Sequence, residues 1–132
     1  NLIGHIDGRS FPERYIAISA HYDHLGVRNG VVFNGADDNA SGTAALFAIA
    51  SHLAAHSPMN SLHFAAFDAE ELGLLGSQAF VRDPPVSRQL IILDLNLDMI
   101  GREPNNKLFV VGTRLQPFLK PAIEREATTA SV

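Results

Sequence analysis

Tyr15-Ile16-Ala17-Ile18-Ser19-Ala20 is a short, almost wholly apolar run, and it predicts a buried strand. The glycine-containing residues 22–38 follow it and are predicted to form a long loop, and loops of this length are usually functional or disordered. An Ala-rich segment then runs from Asn39 to about His56, with Leu46 and Leu53 at helical spacing. Strand, loop and helix therefore begin an alternating pattern.

The alternation continues to the end of the chain. Strands alternating with helices predict an α/β domain: a three-layer sandwich with a mostly parallel, mixed sheet between helices. We expect residues 1–132 to form a single domain. The remaining predicted elements are a strand at 62–67, a helix at 70–81, strands at 90–97 and 108–111, and a helix at 115–128.

Composition excludes several classes of protein. The 132 residues are 46% hydrophobic with a net charge of −4, which suits one core and offers no basic surface for nucleic acid. No apolar run reaches the roughly 18 residues of a membrane span. The first residues, Asn1-Leu2-Ile3-Gly4-His5, lack an initiator Met, so we expect them to lie inside a longer precursor. With no cysteine, any metal must be bound through nitrogen and oxygen.

Acidic and imidazole side chains recur where the predicted strands end and where the first helix begins. In an α/β sheet, ligands bind beyond the carboxyl ends of the strands. We therefore expect these side chains to converge on one edge of the sheet. They are His21, Asp23, Asp37, Asp38, Glu70, Glu71 and Asp98.

His21 and Asp23 are two residues apart, so an extended backbone turns both side chains to the same face. His21 could bind a metal while Asp23 accepts the other ring N–H and fixes the ring's orientation. The alternative is a strand-end histidine in a local hydrogen bond. His24 is expected to face the other way and is interpreted as structural or pocket-lining.

The paired acids have two readings. Asp37 and Asp38 repel each other unless a cation lies beside them, but they also suit the entrance of a helix. Glu70 and Glu71 could likewise begin a helix, or one could bind a metal while the other reaches a water. Asp98 ends a strand and is placed to coordinate, whereas Asp94 and Asn96 are interpreted as one face of that strand. One imidazole among carboxylates suits Zn²⁺, or Co²⁺ and Mn²⁺ as substitutes, with two ions about 3.5–4 Å apart favoured over one.

Four blocks of sequence, in order and in spacing, resemble a known family. The chain is similar over residues 1 to about 112 to the co-catalytic dizinc aminopeptidases of the bacterial leucyl aminopeptidase and glutamate carboxypeptidase superfamily, which are zinc peptidase-like proteins. The blocks are His21-Tyr22-Asp23-His24-Leu25-Gly26, Gly35-Ala36-Asp37-Asp38-Asn39-Ala40-Ser41-Gly42, Phe67-Asp68-Ala69-Glu70-Glu71-Leu72-Gly73-Leu74-Leu75-Gly76-Ser77 and Asn96-Leu97-Asp98-Met99-Ile100-Gly101.

The resemblance implies a role for each matched residue. Asp37 would be the carboxylate that bridges two Zn²⁺ ions, His21 and Asp98 would complete the first ion, and Glu71 would bind the second. The family's cis peptide would fall between Asp37 and Asp38.

The matched catalytic residues would be Glu70, as the general base, and Asp23, which would orient His21. The reaction implied is the hydrolysis of peptide bonds at substrate N-termini by a metal-activated water. The alternatives are a carboxypeptidase or glutaminyl cyclase on the same scaffold, or a non-catalytic receptor or interaction module. The resemblance also implies peptide substrates and a periplasmic or secreted location.

One departure from the family concerns its second metal, which takes a histidine late in the domain. The last histidine here is His63. We therefore expect a C-terminally truncated catalytic domain that binds one Zn²⁺ or none and is impaired in activity. An exposed sheet edge left by truncation would favour self-association.

Overall fold

A computed structural model describes residues 1–103, 105 and 107–130 of the chain. They divide into two compact units, Asn1–Gly101 and a second that starts at Arg102. The second unit contains a 3₁₀ turn, Pro117–Leu119, followed by a helix, Lys120–Ala130 (α3). The single domain over 1–132 stays a prediction, and its residues 104, 106, 131 and 132 lie outside the described part.

The first unit is built on a four-stranded sheet with the order β1-β5-β2-β6. Strands β5, β2 and β6 are parallel, and β1 pairs antiparallel with β5 at one edge. The predicted mixed, mostly parallel sheet is therefore confirmed. A separate hairpin, β3 and β4, lies in the predicted loop. The strands are Leu2–Ile6 (β1), Phe11–His21 (β2), Val27–Arg28 (β3), Val31–Val32 (β4), Asn60–Phe67 (β5) and Ile91–Asn96 (β6).

Helices cover both faces of the sheet. Helix Ala40–Ala55 (α1) places Leu46 in the core with Ile18, Leu62 and Phe64. Helix Leu75–Arg82 (α2) lies on the opposite face, where the rings of Phe67 and Phe80 pack with centroids 5.5 Å apart. Alternation along β5 explains this, because Leu62 and Phe64 point to one face and Phe67 to the other. The α/β sandwich predicted from the sequence is thus confirmed.

Two predicted elements differ in the structure. Residues 70–74 form turns and α2 starts only at Leu75. The segment 108–111, predicted as a strand, is not in a strand, because no described strand pairs with it. Strand β1 was not predicted, since four of its five residues are exposed and give no burial pattern. Among the described helices, none has both the length and the apolar character needed to cross a bilayer.

Candidate metal centre

His21 ends β2 at the carboxyl edge of the sheet and is almost fully buried. Its Nε2 lies 3.1 Å from Asp38 Oδ1 and 3.6 Å from Asp98 Oδ1. The three donor atoms all lie within 4.8 Å of one another. Asp38 comes from the segment before α1 and Asp98 from the residues after β6. The sheet and the first helix therefore bring together one imidazole nitrogen and two carboxylates, a donor set that suits zinc.

Asp23 fixes the orientation of the His21 ring through the other ring nitrogen. His21 Nδ1 is 3.2 Å from the carbonyl oxygen of Asp23 and 3.6 Å from its Oδ1. Two acceptors beside Nδ1 favour the tautomer with the proton there, which leaves the lone pair of Nε2 facing Asp38 and Asp98. This is the geometry expected of a metal-binding histidine.

Negative charge surrounds the His21 ring. Burial works to lower the pKa of His21, but the carboxylates of Asp98, Glu70 and Asp38 outweigh it, and the pKa is raised above its ordinary value. The ring therefore lies in a field that attracts cations of any kind. A divalent cation would be attracted by the same carboxylates that favour the protonated ring.

Asp23 also holds the turn that carries the paired glutamates. Its Oδ1 accepts a hydrogen bond from the Glu70 N–H at 2.9 Å, and its Oδ2 accepts one from the Glu71 N–H at 3.1 Å. Partial burial works to raise the pKa of Asp23, but these backbone hydrogen bonds outweigh it and lower the pKa below 3.8. Gly73 and Leu74 have positive φ values of 105° and 62°, which interrupt a right-handed helix, so α2 begins only at Leu75.

Replacing Asp23 by Ala is expected to destabilise the fold by about 2 kcal/mol or more, because two backbone N–H groups lose a charged acceptor. The native pKa of Asp23 is below its unfolded value, so its stabilisation is present above about pH 4 and is lost as the pH falls through the native pKa. Urea unfolding at pH 7 and pH 3 measures both effects. Asp7→Ala, at a largely exposed carboxylate, is the control and should change stability by less than about 0.5 kcal/mol. Equal losses for the two variants would contradict the anchoring role.

A second group of donors shares Asp38. His24 Nδ1 lies 2.9 Å from Glu71 Oε1, and these atoms lie within 4.8 Å of a carboxylate oxygen of Asp38. His24 was expected to face away from the site. It does not, because β2 ends at His21 and the strand alternation no longer applies at His24, three residues later. Asp38 is thus the carboxylate common to both groups.

The carboxylate shared by the two groups of donors is Asp38, one residue after the predicted bridging residue. Asp37 was predicted to bridge, but it belongs to neither group of donors found among the described residues. Its Oδ1 instead accepts a hydrogen bond from the Gly101 N–H at 2.9 Å. The cis peptide bond, predicted between Asp37 and Asp38, lies between Asp38 and Asn39, so that prediction was wrong.

Asn39 was missed by the sequence reasoning and connects the two sides of the site. It is buried, caps α1 by accepting from the Gly42 N–H at 3.0 Å, and accepts a second bond from the Met99 N–H at 3.2 Å. Its Nδ2 donates to the Leu97 carbonyl at 2.9 Å. Asn39 therefore ties the segment carrying Asp38 to the segment carrying Asp98. The one sequence feature that could have indicated this role is the position of Asn39 at the start of a predicted helix, where Asn is a favoured capping residue.

Asn39→Ala is expected to lower the free energy of unfolding by about 2–4 kcal/mol, because buried backbone groups lose their partners. It should also weaken metal binding, since Asp38 and Asp98 are no longer held together. Thermal unfolding and a zinc titration measure the two effects. Asn34→Ala, at an exposed loop residue, is the control. Wild-type stability in Asn39→Ala would refute this role.

A cavity of about 180 Å³ adjoins the first group of donors. Its lining includes the polar side chains of His21, Glu70 and Asp98 and the apolar side chains of Phe67 and Leu74. Glu70 therefore faces the same space as the donor group. Asp94 and Asn96 also line it, and both lie within hydrogen-bond distance of the Ser19 hydroxyl, at 3.0 and 3.1 Å.

Comparison with known proteins gives consistent matches. The model of the family described as Peptidase family M28 matches residues 1–131. An aminopeptidase of Pseudomonas aeruginosa is 37% identical over 103 residues, which cover 77% of this chain and 18% of that protein. A glutamate carboxypeptidase 2 homolog of Caenorhabditis briggsae is 35% identical over 107 residues, covering 76% of this chain and 13% of that protein.

A solved structure is similar as well. The crystal structure of a zinc aminopeptidase from Bacillus subtilis superposes with a TM-score of 0.61 at 35% identity, covering 75% of this chain and 24% of that one. The chain spans between 13% and 29% of the length of these and other curated relatives that it matches.

Proposed function

Because the chain belongs to peptidase family M28, we propose that the protein cleaves peptide bonds at the N-termini of its substrates in a zinc-dependent reaction. The observation that carries this proposal is the sharing of Asp38 by two neighbouring groups of donors. A carboxylate common to two such groups is what a pair of metal ions requires.

The donor sets fit zinc. His21, Asp38 and Asp98 would hold one ion, and Asp38 and Glu71 would hold a second, so that Asp38 replaces Asp37 as the bridging residue. The fit rests on chemistry seen in the site: Glu71 Oε1 is buried and has no hydrogen-bond partner, which leaves it free to ligate. Bound zinc would supply Lewis acidity that polarises the scissile carbonyl and lowers the pKa of a water.

Glu70 is proposed as the general base. Its carboxylate lines the cavity beside His21 and Asp98, within reach of a water that attacks the substrate carbonyl. Glu70 takes the proton of that water on a carboxylate oxygen. It then gives the proton to the amine nitrogen as the carbon–nitrogen bond breaks. Asp23 keeps Glu70 in place through the Glu70 N–H.

The proposal also specifies that the substrate is cleaved at its N-terminus. Aminopeptidases of two bacteria support it, whereas the Caenorhabditis briggsae relative favours a carboxypeptidase. Aminoacyl-nitroanilides, acyl-glutamates and N-terminal glutamine peptides would be assayed in parallel, with and without zinc. The assays use the longest natural chain that contains these 132 residues. Turnover of the nitroanilides alone is expected, and turnover of acyl-glutamates alone would make the protein a carboxypeptidase.

A non-catalytic receptor or interaction module is the second candidate. It is disfavoured because Glu70 faces the cavity beside the donor group, where a module that only binds needs no base. Zinc binding without turnover of any of the three substrate classes would favour this candidate. We expect the 132-residue chain alone to be impaired, since no histidine follows His63.

A further inference from the structure

We infer that His52 and His56, at the carboxyl end of α1, form a chelating site for a Cu²⁺ ion on the surface of this chain. The site lies outside the metal centre, and the inference does not depend on the proposed function. α1 has 16 residues and begins at Ala40, two residues after Asp38. At a rise of about 1.5 Å per residue, Asp38 and His52 are therefore about 20 Å apart.

The first argument is the spacing of the two histidines. Side chains four residues apart on a helix are neighbours, with Cβ atoms about 5–6 Å apart. The ring centroids of His52 and His56 are 4.3 Å apart, and the rings are stacked with an angle of 18° between their planes. Two imidazoles at this spacing are the pair of ligands that a helical His-Glu-x-x-His motif presents to a metal.

The second argument is the hydrogen bond that holds the His56 ring. His56 Nδ1 lies 2.7 Å from the carbonyl oxygen of His52, and only a protonated Nδ1 can donate to that oxygen. A neutral His56 therefore carries its lone pair on Nε2. Metal-binding histidines almost always donate the other ring N–H to a carboxylate, a backbone carbonyl or water, which fixes the ring and makes the ligating nitrogen more basic. His56 already has the tautomer and the support of a metal ligand.

The third argument is access. Both side chains are exposed, so an ion reaches them without any opening of the fold. Stacked rings direct their lone pairs side by side and not at one point, so one ring has to turn before both can bind the same ion. The His56 ring is held by its hydrogen bond, and the exposed His52 ring is therefore the one that turns about its Cβ–Cγ bond.

The fourth argument is charge. The carboxyl end of a helix carries a partial negative charge that attracts cations. Residues 40–60 contain no Lys, Arg, Asp or Glu, so no ammonium or guanidinium group of this segment takes that place or repels an ion there. The competing explanation is that His56 only caps the last turn. Capping uses Nδ1 alone, so the two explanations differ in whether both rings respond to a metal together.

The number and type of the donors favour copper. Imidazole nitrogen binds several divalent transition metals, and the affinity of a given site for these ions is highest for Cu²⁺. Cu²⁺ accepts nitrogen and oxygen donors in a tetragonal arrangement, in which two adjacent positions would be taken by the imidazoles and the others by water. Structural zinc sites usually have four protein ligands, and this pair supplies two. We therefore expect the site to prefer Cu²⁺ to Zn²⁺.

The test is a titration of the folded 132-residue chain with Cu²⁺, followed by NMR of the histidine rings, because paramagnetic copper broadens the resonances of the rings that bind it. The His52 and His56 rings are expected to broaden together. His52→Gln and His56→Gln should each weaken this binding at least about tenfold, because a second ligand held nearby acts at a high effective concentration. His5→Gln makes the same change at an exposed histidine of β1 and is the matched control, which should leave this binding unchanged.

The outcomes separate this inference from the proposed function, because the His21 ring reports on the metal centre. Broadening of His21 with no change at His52 and His56 would overturn the inference and leave the proposed function intact. Copper affinity at His56 that is equal in His52→Gln and in wild type would also overturn it, since His56 would then bind alone. Broadening of His52 and His56 without His21 would support the inference and count against the first zinc position.

Urea unfolding gives a second measurement. An ion that binds the folded state stabilises it, so Cu²⁺ should raise the unfolding midpoint of wild type by more than that of His52→Gln. The metal centre is the same in both proteins, and the difference therefore belongs to the histidine pair. Equal increases in the two proteins would overturn the inference.

Discussion

Asp38→Asn is expected to remove tight zinc binding at both positions, with an affinity loss of at least about 100-fold. Loss of a hydrogen-bonding partner behind a ligand already costs about 10–100-fold, and Asp38 is itself a proposed ligand of both ions. The amide keeps the size of the side chain but lacks its charge. Zinc content after dialysis and isothermal titration calorimetry measure the loss.

Asp37→Asn is the matched control, because it makes the same chemical change one residue earlier. Asp37 accepts a hydrogen bond from the Gly101 N–H, and an amide oxygen can still accept it. We expect zinc affinity close to that of wild type in Asp37→Asn. The reverse result, with loss in Asp37→Asn and none in Asp38→Asn, would restore the position predicted from the sequence.

Glu70→Gln is expected to lower kcat by about 10²–10⁴-fold, the range for loss of a general base. Zinc content should stay at the wild-type level, since Glu70 belongs to neither group of donors. The amide is isosteric and can donate a hydrogen bond, but it cannot take a proton from water near neutral pH. Steady-state kinetics on aminoacyl-nitroanilides, in the longest natural chain containing these residues, measure the change.

Asp68→Asn serves as the control for charge near the site. Asp68 is exposed and its carboxylate accepts from the Ala69 N–H at 2.9 Å, a bond that an amide oxygen can replace. Its kcat should be within a few-fold of wild type, since Asp68 does not line the cavity. Wild-type kcat in Glu70→Gln would show that another group is the base.

The buried strands, and the side chains at their carboxyl ends, could be predicted because a run of apolar residues indicates a buried strand. β2 and β5 are both buried where they cross the core, and His21 comes at the end of β2. β1 lies at an edge of the sheet and its side chains are mostly exposed, so its sequence shows no burial pattern that would predict a strand. The segment 108–111 has apolar residues but no described pairing partner, and a strand depends on its neighbour as much as on its own sequence.

The choice between Asp37 and Asp38 could not be made from residue type, because the two neighbours are identical. It depends on the contacts of Asn39 with Gly42, Leu97 and Met99, which fix the backbone just after Asp38. The contacts with Leu97 and Met99 join residues 58 and 60 positions apart in the chain. His24 was misjudged for a related reason: alternation was extended beyond the last residue of β2.

The sharing of Asp38 between two groups of donors makes their occupancies interdependent. In the proposed two-ion site, the first ion to bind would neutralise part of a carboxylate on which the second also depends, so the second would meet a weaker attraction and a like charge nearby. Filling should therefore be stepwise and anticooperative. Thermodynamic reciprocity requires that each ion weaken the other by the same factor, whichever of them enters first.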